Sequence, residues 1–192
     1  PIGDPTEAAL ITMSTKIGTR SPKEDEENPE LIEFPFDSER KMMSSVRDIK
    51  EEYADEEVLE ALEGDTEGRV VLAMKGAADS ILTISKNIYK DGKAVPITEE
   101  DKERIREINE KYSKKAMRVL AMAYRPLEQN GKDYTQEEVE KDVIFLGLVG
   151  IIDPPKEGVQ EAVENCHKAH IRTYIMTGDH AITAQAVGEE IG

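Results

Sequence analysis

Phe145-Leu146-Gly147-Leu148-Val149-Gly150-Ile151-Ile152-Asp153-Pro154-Pro155-Lys156 and, further on, Ile171-Arg172-Thr173-Tyr174-Ile175-Met176-Thr177-Gly178-Asp179-His180 both run from apolar residues straight into a polar turn. A continuous apolar run that stops this way reads as a strand buried on both faces. Helix-compatible segments follow each, over 156–169 and 181–191. The pattern predicts a βαβα unit with a parallel sheet. Ligands of such sheets sit at the carboxyl ends of the strands. There the Thr177 hydroxyl and the next backbone N–H groups, at Gly178 and Asp179, can hold phosphoryl oxygens. A helix cap after a Gly turn accounts for the same three residues. Asp153-Pro154-Pro155 likewise fits a strand stop followed by a proline-started helix. The two motifs in this order are more specific than either alone.

The upstream residues have another texture. A helix is expected over 6–16, with Asp4-Pro5 as cap and first-turn proline. An acidic loop covers 20–30. Strands are expected over 31–36 and 42–49, the first interrupted by Pro35, which suggests an edge or a bend. The segment 51–67 is acidic and helix-compatible. A short buried strand over 70–74 runs into Lys75-Gly76-Ala77, and a helix is expected over 78–84. A long helix over 98–116 has Thr98 to cap it and Ile105, Ile108 and Tyr112 as its inner stripe. A strand over 119–124 and a polar linker or hairpin over 129–142 complete this part. The boundary between two domains, 1–142 and 143–192, is placed near Asp142. The expected fold class is α+β: a mainly antiparallel sheet flanked by helices, then a partial Rossmann-like βαβα segment.

Composition narrows the functions. The 192 residues carry a net charge of −16. So acidic a surface repels phosphate backbones and anionic lipid, which argues against nucleic-acid binding. ATP is also an anion, so a nucleotide site needs a local basic patch. The single cysteine, Cys166, permits no internal disulfide and fits a reducing compartment. The longest apolar stretch, 145–152, is far short of the about 20 residues that cross a bilayer. No signal peptide is visible at Pro1, and both ends read as cut points in a longer polypeptide.

Four further segments combine charge with apolar or small residues. In Phe34-Pro35-Phe36-Asp37-Ser38-Glu39-Arg40-Lys41-Met42-Met43, Phe36 and Met43 can form a slot for a flat ring, and Arg40 or Lys41 can meet phosphate. A proline-bent strand with core Phe and Met and a solvated turn fits equally. In Lys75-Gly76-Ala77 a point charge ends a strand where small residues let a ligand approach the backbone; an exposed turn does the same. Arg118, at the entry to a strand, is a phosphate clamp or a surface ion pair. Gly3-Asp4-Pro5-Thr6-Glu7 is a helix start in which Glu7 can also accept from a purine amino group. Cys166, His167 and His170 invite a metal reading, but adjacent helical positions point apart and no second ligand cluster exists. The acidic runs at 24–27 and 55–57 lack calcium-loop spacing.

Taken together, Gly3-to-Leu10, Phe36-to-Met43, Lys75-Gly76-Ala77, Arg118-to-Ala121, Asp153-Pro154-Pro155 and Thr177-Gly178-Asp179 resemble, in order, the cytoplasmic nucleotide-binding region of type II P-type cation-transporting ATPases. The calcium-pump branch is the most similar. The resemblance runs from Gly3 to Gly192. It implies a nucleotide-binding domain followed by part of a haloacid-dehalogenase-type phosphorylation domain. Phe36 would stack on adenine and Glu7 would contact its edge. Lys41, Met43, Lys75, Gly76 and Ala77 would line the pocket together with Arg40, and Arg118 would reach the phosphates. Asp153, Thr177, Gly178 and Asp179 would belong to the phosphoryl site. The implied ligands are ATP and Mg2+, and the implied partners are the other phosphorylation, actuator and transmembrane domains of one polypeptide. The implied setting is the cytoplasmic side of a bacterial plasma membrane, the implied cargo calcium.

There are departures. The family's K-G-A-P-E reads Lys75-Gly76-Ala77-Ala78-Asp79, and 48–68 is longer and more acidic than the usual connection. The phosphorylated aspartate's D-K-T-G-T and the T-G-D-G-x-N-D signature do not occur in these 192 residues. Binding of nucleotide without turnover is therefore expected. A soluble haloacid-dehalogenase-type phosphatase and an acidic interaction domain without ligand are the rival readings.

Overall fold

A computed structural model describes residues 5–18, 28–50, 69–115, 117–128, 133–152, 155–176 and 181–192. Seven strands form one mixed sheet in the order β1-β2-β3-β6-β7-β4-β5. They are β1 (Glu30–Asp37), β2 (Met42–Ile49), β3 (Arg69–Gly76), β4 (Ser85–Lys90), β5 (Lys93–Pro96), β6 (Arg118–Leu127) and β7 (Val143–Ile151). All neighbours are antiparallel except β4 and β7, which run parallel. The helices are α1 (Pro5–Ile17), α2 (Ala78–Ile84), α3 (Glu99–Ser113), α4 (Gln136–Val139), α5 (Val159–Lys168) and α6 (Ala181–Ile191).

Alternation along the strands sends one set of side chains to the core. Met42, Ser44 and Val46 of β2 face Val70, Leu72 and Met74 of β3, then Ala121 and Ala123 of β6 and Val143 and Phe145 of β7, all buried. Ile81 and Leu82 of α2, Ile105 of α3 and Val139 of α4 join the same cluster. α3 starts as its sequence demands. Thr98 Oγ1 accepts from the Asp101 amide, and the Asp101 carboxylate accepts from the Thr98 amide, a capping box. Its inner stripe is narrower than expected: of Ile105, Ile108 and Tyr112, only Ile105 is buried.

β1 is an edge strand, and its pairing slips by one residue between Phe34 and Asp37, a bulge spanning Pro35 and Phe36. Phe34 packs on the core, whereas Phe36 is 64% exposed. The hairpin β4–β5 turns through Asp91 and Gly92, both at positive φ (50° and 80°). β7, where the second domain was expected to begin, is hydrogen-bonded on both sides within this one sheet, to β6 and β4. Residues 171–176, expected to form a buried strand, are not a strand here, and Ile171, Tyr174, Ile175 and Met176 are at least half exposed. An apolar run becomes a buried strand only where neighbours pair its backbone and cover its faces, and no sheet pairing includes this segment. Asp153, Thr177, Gly178, Asp179 and the expected helix in 51–67 lie outside the described residues. Among the described residues no helix is long and apolar enough to cross a membrane.

Candidate functional site

Lys41, Met43, Lys75, Gly76 and Ala77 come together where β1 and β3 end and β2 begins. Asp37 builds the turn from β1 to β2. Its carboxylate accepts from the amides of Glu39 and Arg40, each at 2.9 Å, and its carbonyl accepts from the Lys41 amide at 2.7 Å. The Arg40 amide is the chief reason that the Asp37 carboxyl is held below the usual carboxylate range. The turn closes with Lys41 in the left-handed region, at φ 57°. The Lys41 carbonyl then accepts from the Ala77 amide at 2.9 Å. Gly76 lies between: a Cβ there would stand 2.6 Å from Met42 Cβ and 2.7 Å from the Lys41 carbonyl oxygen. Two motifs 35 positions apart in sequence thus form one backbone unit, and only glycine fits the contact.

The sheet face opposite the core is open here. Met43, Lys75 and Met122 stand side by side across β2, β3 and β6, all half-buried. Ala73, one pleat along on a central strand, is exposed, so no helix among the described residues covers it. The far end of the same face is filled by Val71, Tyr124 and Ile144, with Ile49 and Tyr89 against them. Tyr89 and Tyr124 meet edge to face at 6.4 Å. An apolar and partly filled floor with one ammonium at its edge suits a ligand with a flat apolar part and an anionic part.

The first turn of α1 reaches two of the candidate cations. Glu7 pairs with Lys75 Nζ, and Thr6 Oγ1 accepts from Arg118 Nη1 at 2.9 Å. Arg118 shares the face of Met122 by alternation, four residues or about 13 Å along β6. Arg40 is placed differently. Its Nη1 donates to both carboxylate oxygens of Glu140 at 2.7 Å, and its Nη2 donates to the Pro35 carbonyl at 2.8 Å. Glu140 also accepts from the Ser44 hydroxyl, which lies on the core face. Sequence reading missed Glu140 altogether, because nothing local marks it as a partner of a residue 100 positions away.

A second hollow, of about 670 Å³, is lined by His167, His170, Ile171, Arg172, Thr173 and Tyr174. Its size suits a small ligand, but none of the residues considered for nucleotide lines it. Among the described residues no three His, Cys, Asp or Glu side chains converge as a metal seat. Mg2+, implied by the resemblance, has no such seat on these residues.

A family model described as P-type ATPase, cytoplasmic domain N, matches residues 1–158. Calcium-transporting ATPase 1 of Lactococcus lactis subsp. lactis is 41% identical over 191 residues, covering all of this chain and 20% of that protein. Calcium-transporting ATPase of Bacillus subtilis is 38% identical, over 98% of this chain and 19% of its own length. The sodium/potassium-transporting ATPase subunit alpha-2 of Gallus gallus is 32% identical, over 99% of this chain and 18% of its own. The chain spans about one fifth of the length of these relatives.

Proposed function

The chain belongs to the P-type ATPases through their cytoplasmic domain N, and from that premise we propose that it is the ATP-binding part of an ATP-driven cation pump. The observation that carries this reading is the open sheet face bearing Met43, Ala73, Lys75 and Met122, beside the backbone unit of Lys41, Gly76 and Ala77. Adenine lies on the apolar part of that face, with Phe36 against its ring and Glu7 accepting from its amino group. Phe36 is suited to this because the β1 bulge leaves it exposed. Lys41, Lys75 and Arg118 supply the positive charge that a chain of net charge −16 needs to hold a triphosphate. Gly76 and Ala77 let the ligand lie close to the backbone.

The pump forms an aspartyl phosphate on a residue outside these 192, so this chain binds nucleotide without turning it over. Asp153, Thr177, Gly178 and Asp179 are assigned to the phosphoryl site on the family resemblance, with the part of 143–192 that follows β7 read as belonging to the phosphorylation domain. Calcium as cargo rests on the bacterial relatives. The remaining phosphorylation, actuator and transmembrane domains complete the polypeptide, with this part on the cytoplasmic side of a bacterial plasma membrane.

Calorimetric titration with ATP tests the reading. Wild type should bind, and Phe36→Ala and Lys75→Ala should each weaken binding about tenfold, a loss of about 1.4 kcal/mol. Absence of binding to the folded wild-type chain would overturn it.

A further inference from the structure

We infer that Arg40 is a positioning residue for the nucleotide site: clamped by Glu140 on the core side of the sheet, it fixes the turn that carries Lys41 and does not itself hold phosphate. This rests on the nucleotide-binding reading above.

The geometry separates Arg40 from the other candidate cations. Ser44, which donates to Glu140, alternates along β2 with Met43, so the two side chains leave opposite faces of the sheet. Met43 neighbours Lys75 on the open face. The Arg40 guanidinium is therefore engaged on the side away from Lys75. Its exposure is 22%, and that of the Glu140 carboxylate 7%. A planar guanidinium bonded to both carboxylate oxygens and to the Pro35 carbonyl has its charge met and its orientation set.

Glu140 is itself anchored. It follows α4, and the carbonyls of Glu138, Val139 and Lys141 around it accept from Arg125 Nη1 at 3.0, 3.2 and 3.0 Å. Arg125 belongs to β6, two strands from the turn. The connection runs from β6 through the end of α4 to Glu140, then to Arg40, the Asp37–Lys41 turn and, by the Lys41 carbonyl, the Ala77 amide. Breaking the pair at either end frees the turn and Lys41 with it, so loss of Arg40 or of Glu140 should weaken ATP alike, and adenosine, which has no phosphate for Lys41 to meet, less.

The test compares ATP and adenosine binding by 15N NMR titration of wild type, Arg40→Met, Glu140→Gln, Arg40→Lys and the Arg40→Met/Glu140→Gln double variant. Thermal melts of each accompany the titrations. Arg40→Met and Glu140→Gln should each weaken ATP by a similar factor of about five to twenty. The ATP-to-adenosine affinity ratio should fall by the same factor in the two variants. The double variant should be no worse than the weaker single, as expected for two groups acting as one unit. The Lys41, Gly76 and Ala77 amide resonances should shift in both singles before ligand is added. If Arg40→Met does not fold, the near-isosteric Glu140→Gln and Arg40→Lys carry the same comparison. Loss of ATP affinity alone in the Arg40 variants, with Glu140→Gln unaffected, would make Arg40 a phosphate ligand and overturn the inference. Unchanged affinities in folded variants would also overturn it. A folded wild type that binds neither ligand would instead sink the nucleotide reading itself.

Discussion

The Ala77 amide donates to the Lys41 carbonyl at 2.9 Å, extending the β2–β3 pairing of Met42 with Gly76 and Met43 with Lys75 into the turn, so that the two motifs on which the candidate site depends are held together. Lys41 closes the β1–β2 turn, and Ala77 follows the β3 strand end that carries Lys75 and Gly76. The contact is close because Gly76 has no side chain to hold the two segments apart. The position of each lysine therefore depends on the other's backbone.

Gly76→Ala should disturb both stability and binding. The added methyl would meet Met42 Cβ and the Lys41 carbonyl at less than 3 Å, so backbone must move. Overpacking of this kind costs about 1–3 kcal/mol. A lowered melting temperature together with weaker ATP binding is the expected result of thermal melts and calorimetry.

Phe36 and Leu72 should separate the two effects. Phe36 is 64% exposed and Leu72 fully buried. Phe36→Ala should leave the melting temperature nearly unchanged while weakening nucleotide binding. Leu72→Ala should cost about 2–5 kcal/mol of stability through the cavity it leaves. Urea unfolding and ATP titration of the two variants check this.

The start of α3 gives an acid-sensitive contribution. Lys90, hydrogen-bonded to the Asp101 carboxylate, is the main reason its pKa is lowered from 3.8 to about 2. A folded-state pKa below the unfolded one means stability that is present above pH 3.8 and lost as pH falls toward 2. Asp101→Asn should flatten that part of the stability-against-pH curve. Thr98→Ala should cost about 0.5–2 kcal/mol at neutral pH by removing the other half of the cap. Melts followed by circular dichroism across that pH range read both.

Much of this was legible in local sequence. Thr98 and Asp101 mark the start of α3, and Pro35 marks an edge strand with a bulge. The hairpin β4–β5 passed unnoticed although Asp91-Gly92 is a strong turn signal. Its strands are short and polar, so alternation was faint. The run from Phe145 read correctly as a strand, but its neighbours were not legible. β7 lies between β6 and β4 because pairing is a long-range matter that hydropathy does not encode. Lys75 and Met43 fall on one face because they are paired across β2 and β3, a register that period-two alternation within either segment does not reveal. The setting of Arg40 was not readable, since its partners Glu140 and the Pro35 carbonyl are defined only by the fold.

The most direct measurement is 15N NMR mapping of ATP on the wild-type chain. Amide shifts concentrated at Met43, Ala73, Lys75, Gly76, Ala77 and Met122, with little change at Ile81, Ile105 and Val139 on the core side, are the expected result. Shifts confined to residues 167–174, or none at any residue at saturating ATP, would contradict the placement of nucleotide on the open face.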